Sequence, residues 1–373
     1  MNPASDHLYM ARALRLAERG LTSTDPNPRV GCVLVKGGDV VGEGWHERVG
    51  EAHAEIHALQ QAGERAAGAT AYVTLEPCCH HGRTPPCTDG LIEAGVARVV
   101  AAMQDPNPRV AGRGLAVLRQ AGVEVASGLM EAQAAALNPG FIKRMRQGRP
   151  LVRVKLAMSL DGGTAMASGE SKWITSEAAR RDVQRLRARS GAIVTGIGTV
   201  LADDPSLNVR IAPAELPGVD RDACLPQPLR VVLDPRLQMP AQSKMLGLAG
   251  ETLVVCSNWL GERAGALQRA GAEVVTLAGT SDQVDLAGLL DLLAQRQINE
   301  LLIEAGQVLA GAALYAGLVD ELVVYAAPHV MGKDARGLFH LPGVQRMRER
   351  IELSIMDLRM VGKDIRILAA PIG

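Results

Sequence analysis

The sequence is poor in aromatic residues, which make up 2% of its 373 residues as 3 Trp, 4 Tyr and 2 Phe. So few rings cannot build the stacking surfaces that hold single-stranded nucleic acid. An excess of charge is also missing, because 40 lysines and arginines balance 40 aspartates and glutamates. Since a general nucleic-acid-binding protein needs a basic surface that displaces counterions from phosphates, we expect no nucleic-acid partner.

Long apolar runs are absent as well. The sequence has no uninterrupted apolar stretch long enough for a membrane span, and its N-terminus has no apolar signal core. Six cysteines are too few for a disulfide scaffold in a chain of this length. We therefore expect a cytoplasmic protein with no membrane partner. Hydrophobic residues at 47%, mostly Ala, Val and Leu, are ample for the cores of two domains.

The first half of the chain alternates between strand and helix patterns, which predicts an α/β domain. Its predicted elements are helix 8–19, a hairpin of strands 30–35 and 40–44, helix 54–67, strand 71–75, helix 87–94, strand 96–102, helix 112–121, strand 123–126 and helix 129–147. A polar run at 143–150 then predicts a domain boundary, so we expect one domain at 1–149 and a second at 150–373.

The second domain is also predicted to be α/β, with apolar strands that suit a sheet buried on both faces. Its predicted strands are 151–158, 192–196, 229–234, 252–256, 273–277, 300–305 and 321–327, with a helix at 177–189 and another that starts near Val308.

Cysteine and histidine concentrate in the first quarter of the chain, where they predict a metal or catalytic site. His53-Ala54-Glu55 precedes Pro77-Cys78, and Cys87 follows nine positions later. One imidazole and two thiolates leave the fourth tetrahedral position of a zinc ion open for water. The zinc deaminases use such a site with a glutamate that moves protons and does not bind the metal. The sequence therefore predicts a zinc deaminase whose second cysteine is six residues further on than in the usual motif.

Three other interpretations of these residues stay open. His53 and His57 are four apart as in the helical zinc-protease motif, but that motif needs glutamate where Ala54 stands. A closed structural zinc site could take a fourth ligand from Cys79, His80 or His81. The cysteines could also hold no metal. Because residues two apart on a helix point to different sides, the deaminase interpretation requires His53 at the very start of its helix.

Asp-Pro-Asn-Pro-Arg-Val occurs twice, at 25–30 and 105–110. The two copies could simply be rigid turns, because Pro and Asn favour turn conformations. Alternatively, both could border one active-site cleft, with Asn27 as the better candidate for contact with a substrate.

The segments HAEIHAL and EPCCHHGRTPPC are similar to those of the bifunctional riboflavin-biosynthesis deaminase–reductase family. The resemblance implies a cytidine-deaminase-like three-layer domain followed by a dihydrofolate-reductase-like domain. It implies one zinc ion per chain held by His53, Cys78 and Cys87, with Glu55 moving protons from water to a ring nitrogen and to ammonia. It also implies substrate recognition by Asn27, His46, His80 and Arg83. Cys79 stands where the family more often has serine, and we expect it to be a spectator.

On its residues alone, the second domain shows weaker signals. Gly196-x-Gly198-x-x-Leu201 lacks the third glycine of a dinucleotide fingerprint. The segment IEAGQVLAGA at 303–312 predicts a strand, a tight turn at Gly306 and a helix whose N-terminus could bind phosphate. It could equally be a plain strand-to-helix turn.

The segments KLAMSLDG, SGESKWITS, GIGTVLADDPSLNVR and EAGQVLAG resemble the reductase half of the same family, which uses NADPH. The resemblance implies a substrate site of Lys155, Ser171, Arg187, Leu207, Arg210 and Glu304. It implies a cofactor site of Ala157, Trp173, Thr199, Asp203, Gly306, Gln307, Val308, Leu309, Ala310, Gly311 and Ala312. Gly163 and Gln307 depart from the family pattern and could weaken cofactor binding.

The resemblance thus implies two consecutive steps of riboflavin synthesis on a small phosphorylated pyrimidine, by a homo-oligomer. The first removes the 2-amino group of 2,5-diamino-6-ribosylamino-4(3H)-pyrimidinone 5′-phosphate, and the second reduces the ribosyl chain to ribityl with NADPH. One alternative is a tRNA-acting zinc deaminase with an accessory RNA-binding domain, which the neutral charge disfavours. Another is a zinc-stabilised binding module without catalysis.

Overall fold

A computed structural model describes residues 3–80, 85–216, 218–219, 221–222, 224–279 and 283–372. The chain divides into two compact units. Unit 1 comprises Met1–Arg149 and Ala212–Leu225, and unit 2 comprises Pro150–Ile211 and Pro226–Gly373. The segment 212–225 therefore groups with unit 1, although it lies between parts of unit 2 in sequence.

The described residues of unit 1 form a five-stranded sheet with helices on both faces. The strands are β1 Gly31–Lys36, β2 Asp39–Trp45, β3 Thr70–Val73, β4 Arg98–Ala101 and β5 Glu124–Ser127, and the helices are α1 Pro3–Ala17, α2 Ala54–Ala62, α3 Cys87–Glu93, α4 Arg113–Gln120, α5 Glu131–Leu137 and α6 Pro139–Gln147. The sheet order is β2-β1-β3-β4-β5. β1 is antiparallel to β2 and β3, whereas β3, β4 and β5 are parallel.

Unit 1 has two separate cores, one on each face of its sheet. Successive side chains of a strand point to opposite faces, so alternate residues of the same strand belong to different cores. Cys32 and Leu34 of β1 face the core under α2, α3 and α4. Val33 and Val35 face the core under α1, α5 and α6. Helix, sheet and helix therefore form the three layers expected from the resemblance.

Two glycines of β2 allow the backbone of α2 to pack directly against the backbone of the sheet. A Cβ at Gly42 would lie 2.2 Å from the Ala58 carbonyl oxygen, and one at Gly44 would lie 2.4 Å from that of Ala54. No side chain fits there, so these glycines fix the height and direction of the helix that carries His53 and Glu55.

The described residues of unit 2 form a nine-stranded sheet. Its strands are β6 Leu151–Ser159, β7 Ala192–Gly196, β8 Leu229–Leu233, β9 Thr252–Cys256, β10 Glu273–Thr276, β11 Glu300–Ile303, β12 Glu321–Ala327, β13 Leu353–Val361 and β14 Asp364–Pro371, and its helices are α7 Glu177–Ala188, α8 Ile197–Asp203, α9 Gly261–Arg269, α10 Leu286–Gln295 and α11 Gln307–Tyr315. The order is β10-β9-β8-β7-β11-β6-β12-β14-β13. All neighbours from β10 to β12 are parallel, and the β13–β14 hairpin is antiparallel.

Helices cover both faces of the parallel part of this sheet. One core packs under α10 and α11, and the other under α7, α8 and α9. The expectation of a sheet buried on both faces therefore holds for the parallel strands. β13 and β14 were not among the predicted strands, and most residues of β13 are exposed.

The single helix predicted at 129–147 is wrong, because the structure has α5 and α6 with a break at Asn138-Pro139. Proline lacks the N–H that a continuous helix needs at that position. Asn138 is buried and exchanges two hydrogen bonds with the backbone of Arg29: the Arg29 N–H donates to Asn138 Oδ1 at 2.7 Å, and Asn138 Nδ2 donates to the Arg29 carbonyl at 2.9 Å. This tertiary contact holds the break in place.

Within the described residues, no helix combines the length and the apolar character needed to cross a bilayer.

Candidate active sites

The three predicted zinc ligands converge in unit 1. His53 is the N-cap of α2, Cys87 is the first residue of α3, and Cys78 lies in the segment after β3. The ligand atoms of the three residues all lie within 4.8 Å of one another. His53 Nδ1 is 3.2 Å from Cys87 Sγ and 3.5 Å from Cys78 Sγ. The expectation that His53 stands at the very start of its helix is confirmed.

This donor set suits zinc. Imidazole nitrogen and thiolate sulfur are the ligands that zinc prefers, and three of them leave one tetrahedral position for water or substrate. Across residues 3–80 and 85–149, no fourth His, Cys, Asp or Glu joins the cluster. Cys79 is not a member, which agrees with a spectator role, and His80 is exposed.

The two cysteines of the cluster differ in their protonation. A hydrogen bond with Cys87 lowers the pKa of the Cys78 thiol well below its usual range, and His53 lowers it as well, whereas the same hydrogen bond and burial raise the pKa of the Cys87 thiol. The Cys87 backbone N–H also donates to Cys78 Sγ at 3.3 Å. Because the thiolate and not the thiol binds a metal, Cys78 is prepared for coordination at neutral pH.

Glu55 lies in the first turn of α2 and is 3% exposed. Burial, followed by the charge of Cys78, raises the pKa of its carboxyl to about 7. A carboxyl with a pKa near the working pH can both accept and return a proton, as a general acid–base group must. Glu55 is outside the ligand cluster, in keeping with a proton carrier that does not bind the metal.

Asn27 and His46 meet beside the ligands. The His46 Nδ1 lies 3.1 Å from the Ala52 carbonyl oxygen, which can only accept, so Nδ1 carries the proton. Burial lowers the pKa of His46, and the neutral ring accepts from Asn27 Nδ2 at 3.1 Å through Nε2. The ring of His46 packs edge-on against that of His53, with centroids 5.4 Å apart. Arg83, the fourth predicted substrate residue, lies outside the described residues.

Glu76 is a further residue of this site that the sequence analysis missed. Its buried carboxylate accepts four backbone N–H groups: Oε2 from Asp105 and Gly112 at 3.0 and 2.9 Å, and Oε1 from Gly114 and Leu115 at 2.9 and 3.2 Å. These bonds tie the segment before Cys78 to the second Asp-Pro-Asn-Pro-Arg-Val turn and to the start of α4. The sequence signal that could have identified Glu76 is its position as an acidic residue directly before Pro77-Cys78.

The two Asp-Pro-Asn-Pro-Arg-Val turns therefore both adjoin the ligand cluster. The first reaches it through Asn27 and His46, and the second through Glu76. Asn107 uses its side-chain oxygen to accept the Arg109 N–H at 3.0 Å, so its side chain serves its own turn. This difference agrees with Asn27 as the better candidate for contact with substrate.

In unit 2, four of the predicted substrate residues lie together. Arg187 of α7 pairs with Glu304 through two parallel contacts, Nε to Oε1 at 2.6 Å and Nη2 to Oε2 at 2.9 Å, and its Nη1 donates to the Asn208 carbonyl at 3.0 Å. Lys155 and Arg210 are close enough to act on the same carboxylate.

The charges of this cluster are unequal. Burial would raise the pKa of Glu304, but Arg187 lowers it, so the carboxylate is charged. Burial also lowers the pKa of Lys155. Three basic side chains against one carboxylate leave a surplus of positive charge that suits an anionic ligand. Because Arg187 is occupied by Glu304 and Asn208, the exposed Arg210 is the arginine more accessible to such a ligand.

The predicted cofactor residues lie around the carboxyl ends of neighbouring parallel strands. β6, β11 and β7 are adjacent, β7 runs into α8, and β11 is followed by α11 with Gly306 as its N-cap. Ala157 is in β6, Thr199 and Asp203 are in α8, and residues 307–312 are in α11. Ligands of open α/β sheets bind at such carboxyl ends.

The preceding residue, Lys172, connects Trp173 to Asp203 of α8. Lys172 Nζ lies 3.1 Å from Asp203 Oδ1, and the Arg180 guanidinium stacks over the Trp173 ring at 4.4 Å. The indole is 70% exposed, so one large aromatic surface is open to a ligand. Ser171 precedes it, and Leu207 is buried with a φ of +45°.

The two departures from the family pattern have different surroundings. A Cβ at Gly163 would lie 2.9 Å from Ala335 Cβ and 3.0 Å from Ser159 Oγ, so the packing of this chain leaves no room for a longer residue there. Gln307 begins α11, and its carbonyl accepts the His340 N–H at 3.0 Å. Nothing in that contact requires a particular side chain at 307.

Comparison with known proteins decides between the interpretations. Residues 3–103 match the cytidine and deoxycytidylate deaminase zinc-binding region, and residues 150–367 match the RibD C-terminal domain. Riboflavin biosynthesis protein RibD of Escherichia coli is 53% identical over 364 residues, with 96% of this chain and 98% of the relative covered. The chain belongs to the RibD family. Its RibD fold, a cytidine-deaminase-like domain followed by a reductase domain, is confirmed.

Solved structures agree with this family. Acinetobacter baumannii RibD, form 1, has a TM-score of 0.90 and 47% identity, with 99% of both chains covered. A diaminohydroxyphosphoribosylaminopyrimidine deaminase/5-amino-6-(5-phosphoribosylamino)uracil reductase from Thermotoga maritima has a TM-score of 0.85 and 30% identity, again with 99% of both chains covered. This RibD chain is a bifunctional deaminase and reductase of riboflavin biosynthesis. The tRNA-deaminase and binding-module alternatives are not supported.

Proposed function

We propose that the unit 1 site hydrolyses the 2-amino group of 2,5-diamino-6-ribosylamino-4(3H)-pyrimidinone 5′-phosphate. The observation that carries this proposal is the three-ligand cluster of His53, Cys78 and Cys87 with the buried Glu55 beside it. These ligands would hold one zinc ion, which when bound would lower the pKa of a water molecule so that hydroxide is available near neutral pH.

Glu55 moves the protons of this reaction. Its carboxylate accepts a proton from the attacking water and delivers it to the ring nitrogen next to the reacting carbon. It then passes the second proton of that water to the amino group as the carbon–nitrogen bond breaks, so that a carbonyl and ammonia are formed. Asn27 and His46 hold the pyrimidine beside Glu55, and His80 and Arg83 are assigned to substrate recognition, Arg83 for the phosphate.

We propose that unit 2 then reduces the ribosyl group of the deaminated product to ribityl. NADPH would supply the hydride, and the carboxyl ends of the adjacent strands β6, β11 and β7 with the N-terminus of α11 would hold the cofactor. Trp173, Thr199 and Asp203 complete that site. Lys155, Ser171, Arg187, Leu207, Arg210 and Glu304 face the substrate, and the exposed Arg210 binds its phosphate because Arg187 is already paired.

The proposal includes a cytoplasmic location and a homo-oligomeric assembly. It also assigns deamination to residues 1–149 and reduction to 150–373. The donor chemistry of the unit 1 site supports the assignment of deamination to residues 1–149. The positively charged unit 2 site supports the assignment of reduction to residues 150–373.

The test follows the products of the purified chain. Without NADPH, the diaminopyrimidine phosphate should be converted to ammonia and the deaminated pyrimidinedione, which accumulates. With NADPH, the same reaction should end at the ribitylamino product. If the deaminated compound were not consumed when NADPH is present, the proposed role of unit 2 would be wrong.

A further inference from the structure

The connection between β6 and α7 carries two residues that the proposed function assigns to ligands. It runs from the end of β6 to Ser176, the N-cap of α7. Ser171 of the proposed substrate site and Trp173 of the proposed cofactor site lie within it. The Trp173 side chain is 70% exposed, so burial in a core does not fix its position. The contacts that hold the connection are therefore important for where these two side chains stand.

The first half of this connection lies against residues 328–336, which follow β12. Because β6 and β12 are parallel neighbours, both segments leave the sheet at the same edge. The Thr164 N–H donates to the Arg336 carbonyl at 2.7 Å, and the Arg336 N–H donates to the Ala165 carbonyl at 2.8 Å. These bonds form a short antiparallel bridge between the two segments. The bridge lies beyond the carboxyl ends of the strands, where open α/β sheets bind their ligands.

Asp161 joins the same two segments through its side chain. The Met331 N–H donates to both carboxylate oxygens at 3.1 Å, the Gly332 N–H donates to Oδ2 at 2.8 Å, and the Ser159 hydroxyl donates to Oδ1. Hydrogen bonds to a charged acceptor are stronger than those between neutral groups. The bonds from Ser159 and from the two N–H groups lower the pKa of Asp161 to about 2, so the carboxylate is charged at neutral pH.

The two segments also pack closely along their length. A Cβ at Gly163 would lie 3.2 Å from Met331 Cβ, and one at Gly169 would lie 3.3 Å from Arg336 Nη2. The contact with residues 328–336 therefore extends to Gly169, two positions before Ser171. A displacement of Met331 and its neighbours would be passed directly to the part of the connection that carries Ser171.

The second half of the connection has anchors of its own. Asp364 Oδ2 of β14 accepts from the Ser176 N–H at 2.7 Å and from its hydroxyl at 2.6 Å. Lys172 Nζ contacts Asp203 Oδ1 of α8. Because these contacts hold only the end that enters α7, the first half depends on Asp161 and on the bridge beside it.

We propose that Asp161 is a positioning residue of the reductase site, which holds Ser171 and Trp173 in place through the N–H groups of Met331 and Gly332. The inference rests on the proposed function, because that function assigns Ser171 and Trp173 to substrate and cofactor. Without the carboxylate, the connection would occupy its binding conformation for only a fraction of the time. The affinity for ligands falls by that fraction, whereas bound ligands restore the conformation. Asp161 therefore governs binding and takes no part in hydride transfer.

The test is calorimetric titration of the full-length chain with NADPH, together with steady-state reduction of the deaminated pyrimidine. Asp161→Ala should raise the dissociation constant of NADPH by on the order of 10-fold, because it removes every bond to the carboxylate. Asp161→Asn keeps one acceptor oxygen and should raise it by about threefold. The KM for NADPH should rise by the same factors, whereas kcat at saturation should stay within about twofold of the unaltered chain.

Asp334→Ala is the matched control, because it removes the same charge from an exposed position of residues 328–336. It should bind NADPH as tightly as the unaltered chain, and thermal unfolding should show that every variant is folded at the assay temperature. Unchanged NADPH affinity in Asp161→Ala, or a loss of kcat without a loss of affinity, would overturn the inference. An unaltered chain that does not bind NADPH would instead contradict the proposed function.

Discussion

Glu55 illustrates how position decides the role of a carboxylate. It is two residues from the proposed metal ligand His53, yet it lies outside the ligand cluster and is almost completely buried. Its raised pKa follows from that burial, since removing a carboxylate from water disfavours the charged form. The residue is therefore suited to carry protons, and its effect can be separated from metal binding.

Glu55→Gln should lower the rate of ammonia release by about 100- to 10,000-fold, the range of a positioned general acid–base group. Zinc content should stay at one per chain, because none of the ligands changes. Ammonia release and metal analysis measure the two quantities. Glu93→Gln, on the exposed side of α3, is the matched control and should leave both unchanged. Full activity of Glu55→Gln would disprove its role.

Glu76 contributes to the unit 1 site indirectly, by holding backbone segments through hydrogen bonds. Its carboxylate offers acceptor sites to four N–H groups, whereas glutamine offers one oxygen and adds donors of its own. Glu76→Gln should therefore destabilise unit 1 by about 1–3 kcal/mol, the cost of unsatisfied buried groups. It should also speed the loss of zinc to a chelator, because Cys78 follows two residues later.

Thermal unfolding and the rate of zinc release measure these effects, and Glu64→Gln on the surface is the control. Zinc release as slow as in the unaltered chain would show that Glu76 stabilises the fold without positioning Cys78. The residue types and spacing of the motif predicted that His53, Cys78 and Cys87 would come together, as the structure shows. It could not identify the partners of Glu76, which are 29 to 39 residues away and lie in turns.

At the scale of elements, two glycines of α11 can be compared directly: Gly306, the N-cap, and Gly311, inside the helix. Nothing lies within 4 Å of a Cβ at Gly306, whereas a Cβ at Gly311 would lie 2.3 Å from the His340 carbonyl oxygen. Gly311 is therefore required for packing. Gly306 is free of any such requirement, and its φ of −74° suits any residue.

Gly306→Ala should leave the melting temperature unchanged but raise the KM for NADPH, because a methyl group would obstruct the approach of a phosphate to the helix N-terminus. Gly311→Ala should lower stability by about 2 kcal/mol or more, as overpacking does. Thermal unfolding and NADPH titration distinguish the two. An unchanged KM in Gly306→Ala would remove this turn from the cofactor site.

Most helices and parallel strands that were given bounds from periodicity differ from them by a few residues, whereas α8, α9 and α10 were given none. The break between α5 and α6 has a local signal in Pro139, but the contact of Asn138 with Arg29, 109 residues away, could not be predicted. The hairpin β13–β14 was missed because its bulge disrupts the alternation by which a strand is recognised.

For the whole molecule, two different chemistries occupy two units of one chain. Grouping of the segment 212–225 with unit 1 could not be predicted from sequence, because this segment has no motif of its own. In unit 1, the cluster of His53, Cys78 and Cys87 with Glu55 could be predicted from residue types and spacing, whereas the predicted substrate residues His46, His80 and Arg83 came from the resemblance. The unit 2 site could not be predicted in this way, because its charged cluster is assembled from β6, α7 and the segments around Arg210 and Glu304, and only resemblance to a family connects them.

The central claim is that the product of the first site is the substrate of the second. The most direct measurement follows ammonia and NADPH absorbance together, with the diaminopyrimidine phosphate as substrate and with or without a zinc chelator. Both signals should appear without chelator and both should stop with it, and the deaminated intermediate should restore NADPH oxidation alone. NADPH oxidation that continues in the chelated enzyme without that intermediate would contradict the account.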